Sequence, residues 1–342
     1  MGIKQVQPLT GEMAVEHLVK RFELEERRKE DIVTPINSIR INKDLKFESP
    51  NGVFDMSEQG FKQLCQQAYD FSLPYDYLMK MYDKDKEQFA QIMNYHLEHG
   101  SDKERVLRGV RDEDGNLSVR GIVSKNYNKF DNMDALDVFM KSMAIQGIDD
   151  YQLKTTNIRE DGMFLRFVLP STGVNFGSSY EGKEDWNYIS IDLINGEVGN
   201  TALKIVSSAF RQICTNGMVA LDTIDSLTQR HSGQSNLSAN MKQAISKGII
   251  IGEKTLEELK IAKGIEIASP YDTITKYAKQ AKLSEAQSKK VRENYEIESD
   301  HNLMSIVNAF TRTARDLKSI DKRLELERFA TRVMSNELKK LA

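Results

Sequence analysis

The sequence predicts an α+β fold. Three observations carry that prediction. Apolar residues recur at helical spacing near both ends of the chain, alternate at strand spacing around turn signals in the middle third, and nowhere run on for the ~20 residues of a membrane span. Residues 12–31 set Met13, Val15, Leu18, Val19, Phe22 and Leu24 at roughly helical spacing among seven acidic and five basic side chains, which reads as a peripheral helix with a solvated face. Two short alternating stretches, 38–41 and 45–47, lie between Pro35 and Pro50 and predict a small hairpin. Helices follow, one capped by Ser57, one opened by Pro74 and one stopped by Gly100. The middle third carries a hairpin, 105–111 and 117–124, around Asp112-Glu113-Asp114-Gly115-Asn116. A helix over 131–146 comes next, with acidic residues in its first turns. A second hairpin, 151–158 and 163–169, turns at Arg159-Glu160-Asp161-Gly162, and a strand over 186–194 follows a loop marked by Gly173, Gly177 and Gly182. Asn200 is placed to cap a helix carrying Ala202, Leu203, Val206, Ala209, Phe210 and Ile213, ended by Asn216-Gly217. The expected core is thus β-β-α-β-β-β-α with a curved, mainly antiparallel sheet, flanked by helical N- and C-terminal regions. Its boundaries are 1–100 for the mostly helical N-terminal region with its hairpin, 101–225 for the core, 226–252 for a polar loop and connector, and 253–342 for the helical C-terminal region, where Ser284-Glu285-Ala286-Gln287 is a capping box.

The chain has 342 residues, and 48 basic against 51 acidic side chains give a formal charge of −3, so any nucleic-acid site must be local. The first ten residues lack the apolar region of a signal peptide, and cytoplasmic residence is expected. Cys65 and Cys214 sit far apart in apolar patterns and read as reduced core thiols without a disulfide. His96 and His99 lack a third ligand at metal-site spacing, and His231 has no nucleophile context. Neither a Walker A sequence nor a dinucleotide glycine fingerprint occurs, and no cofactor is expected. Asp131, Asp134 and Asp137 recur at three-residue steps, a pattern that serves a helix N-terminus or could gather carboxylates around a divalent ion.

Cations stand out locally. Five basic residues face two acidic ones between 201 and 250, and Lys204 and Arg211, seven residues apart, share one face of the expected helix with Ser207, Ser208 and Thr215 nearby. Cations and hydroxyls on one face suit a phosphate backbone. The segment 125–129 places Lys125 and Lys129 around Tyr127, whose ring suits base stacking, and Trp186 with Tyr188 offers a second platform or a core pair. The expected nucleic-acid contacts are Lys125, Tyr127, Lys129, Lys204, Ser208 and Arg211.

Several fragments, Arg120-Gly121-Ile122-Val123-Ser124-Lys125-Asn126-Tyr127 with Asp131-Asn132, then Asn195-Gly196-Glu197, and Phe210-Arg211-Gln212-Ile213-Cys214-Thr215-Asn216-Gly217, together resemble the phage- and plasmid-associated domain of unknown function family nine-three-two. Phe71-Ser72-Leu73-Pro74-Tyr75 and Val307-Asn308-Ala309-Phe310-Thr311 extend the resemblance over residues 55–315. It implies a phage, prophage or plasmid setting and no established activity. The core order also looks like that of phage single-strand annealing proteins. The leading expectation is therefore a phage or plasmid DNA-metabolism protein that binds single-stranded DNA, a strand-annealing or recombination protein acting as a homo-oligomer in the bacterial cytoplasm, without membrane contact. The alternatives are a non-enzymatic phage protein that modulates a host protein, such as a defence protein, and a metal-dependent enzyme built on the Asp131, Asp134 and Asp137 row or on Asp192 and Glu197.

Overall fold

The computed structural model describes residues 3–4, 9–11, 14–69, 71–178, 182, 184–212, 216–219, 227–229, 237–298, 300–317 and 319–340. β1 (Ile3–Lys4) and β2 (Leu9–Gly11) precede α1 (Val15–Glu26), β3 (Lys29–Pro35), β4 (Arg40–Ile41), β5 (Phe47–Ser49), β6 (Gly52–Ser57), α2 (Glu58–Gln67), α3 (Tyr75–Lys84) and α4 (Lys86–Glu98). The middle holds β7 (Glu104–Arg111), β8 (Leu117–Ser124), α5 (Asn132–Ile145), β9 (Gln152–Arg159), β10 (Gly162–Ser178), β11 (Glu184–Asn195), β12 (Leu203–Arg211), β13 (Asn216–Val219) and β14 (Leu227–Gln229). Then come α6 (Leu237–Lys263), α7 (Pro270–Gln280), α8 (Glu285–Glu296), α9 (Leu303–Arg315) and α10 (Ile320–Leu338). The class is α+β with helical N- and C-terminal regions. None of the described helices is long and apolar enough to cross a membrane.

The strands form two sheets. The first runs β3-β7-β8-β6-β5-β4, with β1 also on β6, and is parallel only at β6–β8 and β1–β6. Its core joins Phe47, Phe54 and Phe61 to residues of α2, α3 and α4. The second runs β13-β12-β11-β10-β9-β2, with β14 also on β12, and is antiparallel throughout. One of its faces packs Leu165, Leu193 and Ile205 into the largest core, with α1 and α5 to α10. On the other face Phe164, Ile194 and Val206 meet Ile320 and Leu324 at the start of α10. The hairpin β7–β8 therefore pairs with β3 and β6 of the N-terminal region, not with the strands that follow it.

Three expectations are corrected. The helix expected after Asn200 is strand β12, the fourth strand after α5, and it is buried almost throughout. With both faces covered, nearly every position is apolar or small, so a helical spacing can be read from a run whose true period is two. The part of the glycine-marked loop up to Ser178 is the far half of β10, which continues there through register shifts after Leu169 and Asn175. Gly173 serves close packing there, since a Cβ would lie 2.7 Å from the Tyr188 ring, and Gly177 takes a φ of +94°. Finally, the part of the expected connector from Leu237 onward is the first half of α6. Gly248 and Gly252, one turn apart, let this helix close on the sheet, because Cβ atoms there would stand 3.3 Å from Ser207 and 2.7 Å from Ile189.

Cys65 is a buried free thiol that burial pushes up to about 12. The disulfide expectation for Cys214 falls outside the described residues, as do His231 and Thr215.

Candidate nucleic-acid interface

The strand geometry of β12 separates the cations that a helix would have aligned. Residues an odd number apart on a strand face opposite ways, so Lys204 and Arg211, seven apart, point to different faces at opposite ends of β12, roughly 24 Å apart at ~3.4 Å per residue. Arg211 is buried, donates to both Asp185 oxygens at 2.7 and 2.8 Å, and to both Glu298 oxygens at 3.0 and 2.9 Å. Such a guanidinium has no free edge for phosphate. Ser208 is also buried, with its hydroxyl donating to Asp192 at 3.3 Å. Both expected contacts are therefore structural. Tyr127 is half-buried, its hydroxyl donates to the Gly196 carbonyl at 3.1 Å, and burial pushes its phenol above the usual tyrosine range, so it does not stand free for base stacking. Lys125 and Lys129 are exposed and pair with Glu104 and Asp31, each at 2.5 Å. Lys204 lies half-buried in a cavity beside α10. Trp186 and Tyr188 stack on each other at 6.2 Å and are anchored by Glu184 and Gln212.

The acidic candidates are likewise engaged. Asp134 closes the N-terminal capping box of α5 with Asp131, and Asp137 pairs with Lys141 at 2.6 Å. Asp192 is buried against Arg166. Carboxylate oxygens of Glu26, Asp131 and Glu197 do converge within 4.8 Å, but the Lys29 ammonium sits among them, 2.9 Å from Asp131 and 2.9 Å from Glu197, and also bonded to Glu26. Burial opposes that ammonium, yet Glu197 and Asp131 outweigh it and hold Lys29 above the usual lysine range. Arg108 adds 2.9 and 2.7 Å bonds to Asp131, and Arg120 a 2.7 Å bond to Glu197. The three cations come from β3, β7 and β8 of the first sheet. Glu197 follows β11 of the second, so the cluster ties the two sheets together.

Beside this joint lies a concave site that the sequence reading did not single out. Its volume is about 650 Å³, and its walls come from three distant segments: α1, the strands β7 and β8 near their turn, and the β9–β10 turn. On α1, His17, Lys20, Arg21, Leu24 and Glu25 recur at three- and four-residue steps and so share one helix face, and Arg28 follows just past its end. β7 and β8 contribute Arg111 and Arg120, and the end of β9 contributes Arg159. Six basic residues thus face three acidic ones, Glu25, Asp112 and Glu160, across apolar surface from Leu24, Val110 and Ile158. Four of the cations are paired: Arg28 with Glu113, Arg111 with Glu30, Arg120 with Glu25 and Glu197, and Arg159 with Asp161. Lys20 and Arg21 are exposed and have no ion pair among the described residues. The available signal was the cationic spacing on one face of the first helix.

Glu160 stands where this cleft meets a smaller one lined by Glu58, Lys62 and Tyr75. Burial pushes its carboxyl up to about 7 against the pull of Ser57 and Arg120, and one of its oxygens is buried without a hydrogen-bond partner. A folded-state value above the unfolded one means that the stability associated with this group is complete at acid pH and is lost as pH rises through about 7. Glu160→Gln is therefore expected to raise the thermal midpoint above about pH 7 and leave it unchanged below about pH 4.5. Equal midpoints at both would show that the carboxyl ionises freely in the fold.

Comparison with known proteins returns no match, whether to a family model, a curated protein or a solved structure. Fold and site define a class by themselves: a two-sheet α+β protein with a cationic cleft at the junction of its sheets.

Proposed function

We propose that this chain binds single-stranded DNA, with the strand seated in the cleft between α1 and the β7–β8 hairpin. The observation that carries this reading is the pair of unengaged cations, Lys20 and Arg21, on the rim of a concave site with a cationic excess. Phosphates supply the charge such a rim lacks, and their neutralisation releases counterions. The concavity selects the form of nucleic acid. A duplex is read by elements inserted into its grooves, whereas a single strand can turn its bases into a cleft, against apolar walls and guanidinium planes. The DNA-handling role extends to strand annealing by an oligomer, because several modest clefts sharing one strand gain affinity together. The phage or plasmid setting rests on the sequence fragments alone.

The test is fluorescence anisotropy of a labelled single-stranded oligonucleotide over a salt series, with Lys20→Glu/Arg21→Glu as the variant. Both side chains are exposed, so folding should survive, as circular dichroism can verify. The expected result is at least a tenfold loss of affinity and a salt dependence shallower by about 1.4 in log–log slope, ~0.7 for each phosphate contact on a single strand. Undiminished affinity in the variant, or no binding by the wild type at low salt, overturns the proposal.

A further inference from the structure

We infer that the chain carries a second phosphate-binding subsite, formed by Lys204, Arg328 and Arg332, which only a single strand long enough to extend beyond the cleft reaches. This rests on the nucleic-acid reading above and adds where the strand goes next.

Strand register sets how far the subsite lies from the cleft. Asn157 pairs with Phe164, Phe164 with Ile194, and Ile194 with Lys204, so these four residues form a row across β9, β10, β11 and β12. Directly paired residues share a face, and three steps of ~4.8 Å make the row roughly 14 Å long. Arg159 lies two residues beyond Asn157 and so on the same face. The middle of the row, Phe164 and Ile194, is buried beneath Ile320 and Leu324 of α10, so a strand that engages both sites passes outside that packing. Arg159 borders both the cleft and a narrow cavity of about 20 Å³, and Ile194 and Asp321 border both that narrow cavity and the one holding Lys204.

The far cavity, about 460 Å³, gathers three cations from two elements, Lys204 from β12 and Arg328 and Arg332 one turn apart on α10. None of the three forms an ion pair among the described residues, although Asp321 and Glu325 share the same wall. Among the described residues the Arg328 Nε is buried without an acceptor, and Arg332 makes a ring contact with Phe329, 5.6 Å from its centroid, and no ion pair. This contrasts with Arg166 and Arg323 on the same side of the sheet, each of which is held by carboxylates. Guanidinium and ammonium groups left uncommitted in a concave site are the donors a phosphodiester would take up.

The experiment compares labelled oligothymidylates of about 4 and about 16 nucleotides, spanning the usual site sizes for a single-strand groove, on the full chain and on Lys204→Gln/Arg332→Gln. The expected result is unchanged affinity for the short strand, at least a tenfold loss for the long one, and a long-strand salt slope shallower by about 1.4. If the long strand binds the variant as tightly as the wild type while Lys20→Glu/Arg21→Glu abolishes binding, the cleft stands and the second subsite falls. Equal weakening of both strands also overturns the subsite, because the substitutions would then act through the whole molecule. If neither strand binds the wild type, the nucleic-acid reading itself fails and takes the subsite with it.

Discussion

Glu327→Ala is expected to destabilise the protein by about 3–5 kcal/mol, the usual cost of leaving a buried charge without its partner. Glu327 reaches from α10 to the second sheet, where its carboxylate accepts from Arg166 at 2.9 Å and from Arg323 at 2.9 Å. Arg166 is wholly buried and also grips both oxygens of Asp192, at 2.8 and 2.7 Å. Burial disfavours the Glu327 carboxylate, but Arg166 and Arg323 overcome it and hold the group below the usual glutamate range. Truncation would therefore leave Arg323 without its carboxylate and Arg166 with only Asp192, in a site buried from solvent. Urea unfolding followed by circular dichroism measures the loss. A change below about 1 kcal/mol would show that water enters and solvates the two guanidinium groups. The pair matters to the binding reading as well, because α10 carries Arg328 and Arg332, and Glu327 fastens that helix to the sheet that presents Lys204.

Much of the fold was legible because its signals are local. The turns at Asp112–Asn116 and Arg159–Gly162 declare themselves by residue type, and both hairpins form there. Ser57 and Ser284 cap the helices they were expected to cap. β12 was not legible, since a strand buried on both faces has no polar alternation to mark its period. The site was legible only in fragments. Arg211 looked available because its partners, Asp185 and Glu298, lie 26 and 87 residues away in the chain. The cleft joins α1, β7, β8 and the turn after β9, and no spacing in one segment reports that three distant segments share a wall. Lys204 kept a place in a cationic site, but through its register with Ile194 and its neighbours on α10 rather than through any helical stripe.

Acid is expected to loosen the joint between the sheets, and Asp131→Asn should show by how much. Burial alone would raise the Asp131 carboxyl, but the Arg108 hydrogen bonds, assisted by Lys29, bring it down to about 2. Glu197 is also held below the usual glutamate range, by Arg120 and Lys29 against its burial. For a carboxyl with a depressed folded-state value, the stabilisation is present above the ordinary aspartate range and is lost as pH falls through about 2. From a shift of this size Asp131 contributes about 2 kcal/mol near neutrality. In urea unfolding, Asp131→Asn should fall short of the wild type by at least that much near neutral pH, with the gap narrowing as pH drops from about 4 toward 2. A gap that stays constant over that range would mean the carboxylate gains nothing from Arg108. The joint also positions the cleft: Arg120 lines it and is held by Glu25 of α1 and by Glu197. Protonation of Glu197 would free one edge of that guanidinium at the cleft wall, so the acid that weakens the clamp also makes the wall more cationic.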